Sequence, residues 1–141
     1  MYKKALLVIL VLGMVFLLAA CGGGGGEEAA EGEVVAIGDV ARGQELYNQV
    51  TIGPNAAPGC ITCHSLEEGV VLVGPSHAGL ANRAGDYVEG MSAEEYLRES
   101  IVEPNAHIVE GFTPDVMYQN YAEDLQARDI NDLVAYLLTL E

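Results

Sequence analysis

The feature that most constrains this chain is the run Cys60-Ile61-Thr62-Cys63-His64. Two thiols three residues apart can lie on one turn, from which they can bond the two vinyl groups of a single porphyrin. The next residue, His64, would then lie under the iron, where its imidazole can serve as the proximal axial ligand. The spacing therefore predicts one haem c, attached covalently through Cys60 and Cys63, with its iron bound by His64.

Two other chemistries use a pair of cysteines at this spacing. A thioredoxin-like redox motif needs a surrounding pattern of alternating strands and helices, and residues 40–90 have no such pattern. A structural zinc site needs four ligands, and the only other cysteine, Cys21, lies at the end of an apolar segment far from the pair. Haem attachment is therefore favoured over both alternatives.

Residues 1–20 have the layout of an export signal. Lys3 and Lys4 precede an uncharged apolar run, Ala5–Ala20, which is shorter than the ~20 residues of a typical spanning helix. The run leads into Leu18-Ala19-Ala20-Cys21, which resembles the lipobox of bacterial lipoproteins and implies lipid attachment at Cys21. An uncleaved membrane anchor is the alternative. In either case we expect an exported protein, anchored at the periplasmic or outer face of the bacterial cell membrane.

Composition divides the remainder into a linker and one domain. Residues 21–38 contain seven glycines, five of them consecutive, and four glutamates, and they predict a flexible linker. This leaves residues 39–141 as a single domain. Without residues 1–20 the chain has 21 acidic residues, four arginines and no lysine, a net charge of −17. This charge excludes nucleic acid as a partner, because phosphate binding needs a basic surface. We expect redox partners with a basic or small apolar docking face.

Helical signals dominate the domain, which predicts an all-α fold. Asp39 can cap a first helix. The run Ser92-Ala93-Glu94-Glu95 has the spacing of a capping box and predicts a helix that ends before Pro104. Residues 128–140 carry apolar side chains at helical spacing and predict the last helix. The apolar run 70–73 is short and isolated, so no β-hairpin is predicted.

The order of these parts resembles that of a class I cytochrome c over the whole of residues 39–141. The parts that carry the resemblance are Gly43 and Tyr47 in the first helix, the C-x-x-C-H run, Val73-Gly74-Pro75-Ser76, the loop 111–117, and the final run 132–137. The resemblance implies a monohaem domain of four or five short helices wrapped around the haem. It also implies that the first and last helices cross, with Gly43 allowing close approach near Tyr136.

The resemblance assigns two further residues to the site. It implies that the carbonyl of Pro75 accepts the Nδ1–H of His64, which fixes the tautomer and leaves Nε2 for iron. It also implies that Met117 is the sixth ligand, a neutral thioether that favours ferrous iron. The chain departs from the family pattern here, because Met117 is followed by Tyr118 where the family usually has proline. Met91, His77 and His107 are the alternative ligands.

With both axial positions filled, a haem protein transfers single electrons and binds no small-molecule substrate. The resemblance implies a membrane-tethered carrier, or a subunit of a redox complex, and not an enzyme. It would pass electrons from a quinol-oxidising complex to a terminal oxidase or photosynthetic reaction centre. The alternative is a haem protein with a labile sixth position, acting as a gas sensor or a peroxidase-type enzyme, in which His107 or Arg83 would serve as a distal group.

Overall fold

The computed structural model describes residues 38–141. The predicted signal segment, Cys21 and the predicted linker up to residue 37 lie outside the described residues. The described part contains five α-helices: α1 Val40–Asn48, α2 Leu80–Arg83, α3 Ala93–Val102, α4 Tyr121–Asp124 and α5 Ala127–Leu137. It also contains 3-10 turns at Cys60–Thr62 and Ala84–Asp86, and two short strands, β1 Thr51–Ile52 and β2 Ala57–Pro58. None of the helices in this part is long and apolar enough to cross a membrane.

Helices α1 and α5 cross in contact with each other, as expected from the sequence. A Cβ atom on Gly43 would lie 1.9 Å from the carbonyl oxygen of Asp132 and 2.8 Å from the Cβ of Tyr136. Only glycine permits this approach of the two backbones. The ring of Tyr47 meets that of Tyr136 edge to face, with centroids 5.3 Å apart and planes at 62°. The crossing therefore depends on the absence of a side chain at Gly43 and on the contact between the rings of Tyr47 and Tyr136.

A buried carboxylate joins the same two helices. Asp132 of α5 is 2 % exposed, and its Oδ1 accepts the backbone N–H of Asp39 at 2.7 Å. Its Oδ2 pairs with the guanidinium of Arg42, which also pairs with Asp129. Burial alone would raise the pKa of Asp132, but the hydrogen bonds from Asp39 and Arg42 bring it below its usual value. The ionised carboxylate is thus the stable form at the crossing.

The helix starts follow the capping chemistry of the sequence. Asp39 caps α1 by accepting the N–H of Arg42 at 3.1 Å, and Ser92 with Glu95 forms the predicted capping box of α3. Helix α5 starts at Ala127, one residue before the predicted start, and ends at Leu137, three before the predicted end. At its start, Oδ2 of Asp129 accepts the backbone N–H of Gln126 at 3.0 Å, a contact that the sequence analysis did not identify.

The prediction that the domain has no hairpin was wrong. Strands β1 and β2 pair antiparallel, with Ile52 opposite Ala57, and both residues are buried. Gly53 and Ala56 adopt left-handed backbone conformations at the ends of the connecting turn, with φ of 71° and 55°. Two residues per strand are too few for an alternating pattern, so tertiary burial of Ile52 and Ala57 stabilises this hairpin.

The buried side chains form one core cluster, which runs from the hairpin through α3 to the α1–α5 crossing. Its largest fully buried members are Tyr47, Ile52, Leu133 and Val134. Helix α3 contributes Tyr96, Leu97 and Ile101 from one face. Several of these apolar side chains also line a cavity on one side of the core, among them Leu97, Ile101 and Leu137. The core and the cavity wall thus share part of their residues.

Candidate functional site

The two cysteines of the C-x-x-C-H run flank a single 3-10 turn. The backbone N–H groups of Cys63 and His64 both donate to the carbonyl oxygen of Cys60, at 3.1 and 2.9 Å. Gly59 precedes the turn and lies so close to the end of α1 that a Cβ atom there would be 1.7 Å from the carbonyl oxygen of Gln49. The turn is therefore fixed to α1 by a contact that only glycine allows, and Cys60 and Cys63 line one cavity.

The thiols do not have the properties of a redox pair or a zinc site. Cys60 and Cys63 are free and half-buried, and burial raises the pKa of the Cys60 thiol to about 12. A reactive redox cysteine has a lowered pKa instead. Among residues 38–141, no group of three His, Cys, Asp or Glu side chains is arranged to hold a metal. The functional groups that this turn presents are two close thiols and one adjacent imidazole.

His64 is held in one tautomer by the segment that follows it. Its Nδ1 lies 2.8 Å from the carbonyl oxygen of Pro75, which can only accept, so Nδ1 carries the proton. Burial lowers the pKa of His64, with the Pro75 hydrogen bond acting in the opposite direction. Gly74 packs on the ring so closely that a Cβ atom there would lie 2.4 Å from its Cε1. The neutral ring therefore has a free lone pair on Nε2 for a metal.

His77 occupies a place that the sequence analysis did not foresee. Its ring stacks on the ring of His64, with centroids 4.0 Å apart and planes at 19°. The hydroxyl of Tyr47 lies 3.2 Å from its Nδ1, and burial lowers the pKa of His77 to about 2. Two rings stacked face to face cannot direct nitrogens at one iron from opposite sides, so His77 is a neighbour of His64 and not a second ligand opposite it. In the sequence, only the position of His77 two residues after Pro75 could have indicated that it lies near His64.

Met117 lines the same cavity as Cys60, Cys63 and His64, whereas Met91 does not. Met117 is half-buried, and its carbonyl oxygen accepts the side-chain amide of Gln119 at 2.6 Å. Met91 instead lies beside helix α3 near an open surface groove. Of the two methionines in the domain, Met117 is therefore the one that shares a cavity with the turn.

The two candidate distal groups are engaged in packing and hydrogen bonds. The guanidinium of Arg83 donates to the hydroxyl of Tyr87 at 3.0 Å and to the carbonyl oxygens of Ser76 and Ala78. These bonds tie Arg83 to the loop that follows Pro75. The ring of His107 packs against two tyrosines, with centroids 6.0 Å from Tyr87 and 5.8 Å from Tyr96. Both side chains line the cavity, but both are engaged in these contacts, and neither is positioned as a separate acid or base.

The cavity has a volume of about 520 Å³, in the range of cofactor sites. Apolar and aromatic residues make up most of its wall: Pro58, Val73, Leu80, Tyr87, Tyr96, Leu97, Ile101, Ile108, Val109, Phe112, Val116, Tyr121 and Leu137. The groups that suit a haem are two thiols, the His64 imidazole with its free Nε2 and the Met117 thioether; the rings of His77 and His107 also line the cavity. Two thiols for covalent attachment, soft and nitrogen ligands for iron, and an apolar wall for a porphyrin fit a haem c.

Comparison with known proteins gives one family. Residues 40–141 match the family model for Cytochrome c, which covers more than half of the chain and nearly all of the described part. Proteins of this family carry a covalent haem c with iron, and the spacing of Cys60 and Cys63 is that of its attachment motif. The match and the predominantly helical fold confirm the predicted class I fold. No curated protein gave a significant match to the chain.

Proposed function

The chain belongs to the cytochrome c family, and from that premise we propose that it is a membrane-tethered one-electron carrier or an electron-transfer subunit. It would pass electrons from a quinol-oxidising complex to a terminal oxidase or photosynthetic reaction centre. The observation that carries the proposal is the single cavity that contains both thiols, Met117 and His64, whose Nδ1 is bound to the Pro75 carbonyl.

Each residue of the site would have a definite task. Cys60 and Cys63 would hold the porphyrin covalently, and His64 and Met117 would bind its iron. When bound, the haem supplies a one-electron couple between ferric and ferrous iron. The fixed tautomer of His64 keeps Nε2 available in both oxidation states, and the apolar wall excludes water. Ligands that do not move between the two states leave little reorganisation to oppose electron transfer.

The ligand-binding alternative receives less support. A gas sensor or peroxidase needs an open sixth position and, for peroxide, a free distal acid or base. The donors of Arg83 are directed at the Tyr87 hydroxyl and two backbone carbonyls, and His107 packs against the rings of Tyr87 and Tyr96. An electron carrier is therefore the better account of the cavity.

The surface beside the cavity suggests how a redox partner docks. We call the exposed run Val70–Val73 the apolar patch; its side chains are between 37 % and 60 % exposed, and Val73 also lines the cavity. Glu67 and Glu68 precede it, and residues 38–141 carry 17 acidic residues against four arginines. A partner with an apolar centre and a basic rim would match this surface.

Tethering rests on the sequence alone. We propose that residues 1–20 direct export and that a lipid on Cys21 anchors the protein at the periplasmic or outer face of the membrane. Fractionation of cells that express the variant Cys21→Ser tests this proposal. The variant should move from the membrane pellet to the soluble exported fraction, and retention in the pellet would count against lipid anchoring.

The test of the carrier function is oxygen uptake by bacterial membranes that contain a terminal oxidase, supplied with the reduced holoprotein. Val71→Ser in the apolar patch should slow uptake several-fold, because Val71 is 60 % exposed beside the cavity. Val50→Ser is the matched control, since Val50 is 72 % exposed outside the patch. Uptake should also fall as salt screens the acidic surface. Equal rates for the two variants would exclude the patch, and failure to drive uptake with any oxidase would oppose the carrier function.

A further inference from the structure

We propose that Tyr118, Asp124 and Asn55 form a hydrogen-bonded latch that holds the Met117 loop against the hairpin leading to the haem-attachment turn. We call these three residues the Tyr118 latch. The inference rests on the proposed role of Met117 as an iron ligand. Tyr118, which follows Met117 directly, would be a positioning residue that acts through Met117 and does not touch the iron.

The centre of the latch is the carboxylate of Asp124, which is 7 % exposed. Its Oδ2 accepts the hydroxyl of Tyr118, and its Oδ1 accepts the side-chain amide of Asn55. None of the ion pairs found within residues 38–141 includes Asp124. A buried carboxylate without a cation needs hydrogen-bond donors to stabilise its charge. Tyr118 and Asn55 provide these donors to Asp124. In agreement, these two bonds lower the pKa of Asp124.

The latch connects two segments that are far apart in the sequence. Asn55 lies in the turn between β1 and β2, and β2 leads through Pro58 directly into the turn that carries Cys60. Asp124 ends α4 on the other segment, 69 residues from Asn55. The two hydrogen bonds to Asp124 therefore join the loop that carries Met117 to the hairpin that precedes the attachment turn.

Three further contacts reinforce this junction. The hydroxyl of Tyr121 donates to the carbonyl oxygen of Pro58 at 2.6 Å, and the ring of Tyr121 meets that of Tyr118 edge to face with centroids 5.0 Å apart. Gly53 packs on Asp124 so closely that a Cβ atom there would lie 2.8 Å from the carbonyl oxygen of Asp124. The segment that follows Met117 is thus attached to the hairpin at three points.

The consequence for Met117 is a restricted backbone. A thioether is a weak ligand for iron, and its dissociation requires the loop that carries it to move. Loop motion on this side would have to break the bond between Tyr118 and Asp124, which is a hydrogen bond to a charged acceptor and stronger than a neutral one. The latch therefore keeps the sixth position closed, in the place where the sequence lacks the stiffening proline.

The test uses the reduced holoprotein and carbon monoxide. The variant Tyr118→Phe removes only the hydroxyl, and we expect carbon monoxide to bind about tenfold faster than to the unmodified protein, as for the loss of one hydrogen bond to a charged group. Tyr136→Phe is the matched control, because it also removes one hydroxyl from a buried tyrosine, 5 % exposed, which does not line the cavity. Hydrogen exchange of the backbone amides near Met117 should rise in the first variant only.

The possible outcomes separate the latch from the function on which it rests. Faster binding in Tyr118→Phe, with no change in Tyr136→Phe, supports the latch. Equal rates in the two variants, or an unchanged Tyr118→Phe, overturn it. The variant Met117→Ala tests whether Met117 closes the sixth position. Rapid binding in Met117→Ala, with an unchanged rate in Tyr118→Phe, overturns the latch alone. Slow binding in Met117→Ala overturns the latch and the assignment of Met117 together.

Discussion

At the scale of single residues, the surroundings of His64 decide what the site can do. The hydrogen bond to Pro75 was implied by the family resemblance, whereas the contact with Gly74 was not predicted. The stack with His77 was not predicted either, because nothing in the spacing of two histidines predicts which face of a ring they share. Sequence reasoning thus predicted residues that the structure brings to one cavity, but it missed the ring that stacks on His64.

His77 carries a prediction about the redox potential. It places a polar ring 4.0 Å from the ring of His64, and polar surroundings favour the more highly charged ferric state. We expect His77→Leu to raise the midpoint potential by a few tens of millivolts, on the scale of the ~59 mV that corresponds to a tenfold change for one electron. Spectroelectrochemical titration measures this directly. A lower or unchanged potential, with the absorption spectrum preserved, would contradict this effect of His77 on the ferric state.

At the scale of elements, the helices were predictable where their ends carry capping side chains. Asp39 and Ser92 set the starts of α1 and α3 as the sequence indicated. The hairpin was not predictable, since its two-residue strands owe their pairing to burial of Ile52 and Ala57 against the core. The Tyr118 latch was equally hidden, because Asn55 and Asp124 meet only through the hairpin.

The crossing of α1 and α5 carries a prediction about acid stability. Asp132 faces Asp39 and Arg42 from the α1 side, and Asp129 and Arg128 on its own helix. Its pKa in the folded state lies below the ordinary value of 3.8. Ionised Asp132 therefore stabilises the fold above about pH 4, and this contribution is lost as the pH falls through the lowered pKa.

The measurement is the free energy of unfolding of Asp132→Asn between pH 2 and pH 7. At pH 7 the variant should be less stable by about 1.5–3 kcal/mol, as for a lost hydrogen bond to a charged group. The difference should shrink towards pH 2. Asp86→Asn is the control, because Asp86 is exposed and has no ion pair in the described part of the chain. A difference that stays constant down to pH 2 would show that the charge of Asp132 does not contribute.

At the scale of the whole molecule, charge and architecture both support the proposed docking of a basic redox partner. A domain with 17 acidic residues and four arginines favours basic partners and repels acidic ones. Composition alone indicates that a partner should be basic. The proposed place of docking depends instead on the fold, which leaves Val70–Val73 exposed beside the cavity. The sequence analysis identified that run only as an isolated apolar segment, because exposure cannot be derived from hydropathy.

The central claim is that His64 and Met117 close both axial positions of one haem, so that the protein transfers electrons and binds no gas. The most direct measurement is the absorption spectrum of the reduced holoprotein before and after addition of carbon monoxide. We predict no prompt change in the unmodified protein and a clear shift in Met117→Ala, since that variant removes the thioether from the cavity. A prompt shift in the unmodified protein would contradict the claim and favour a sensor or an enzyme.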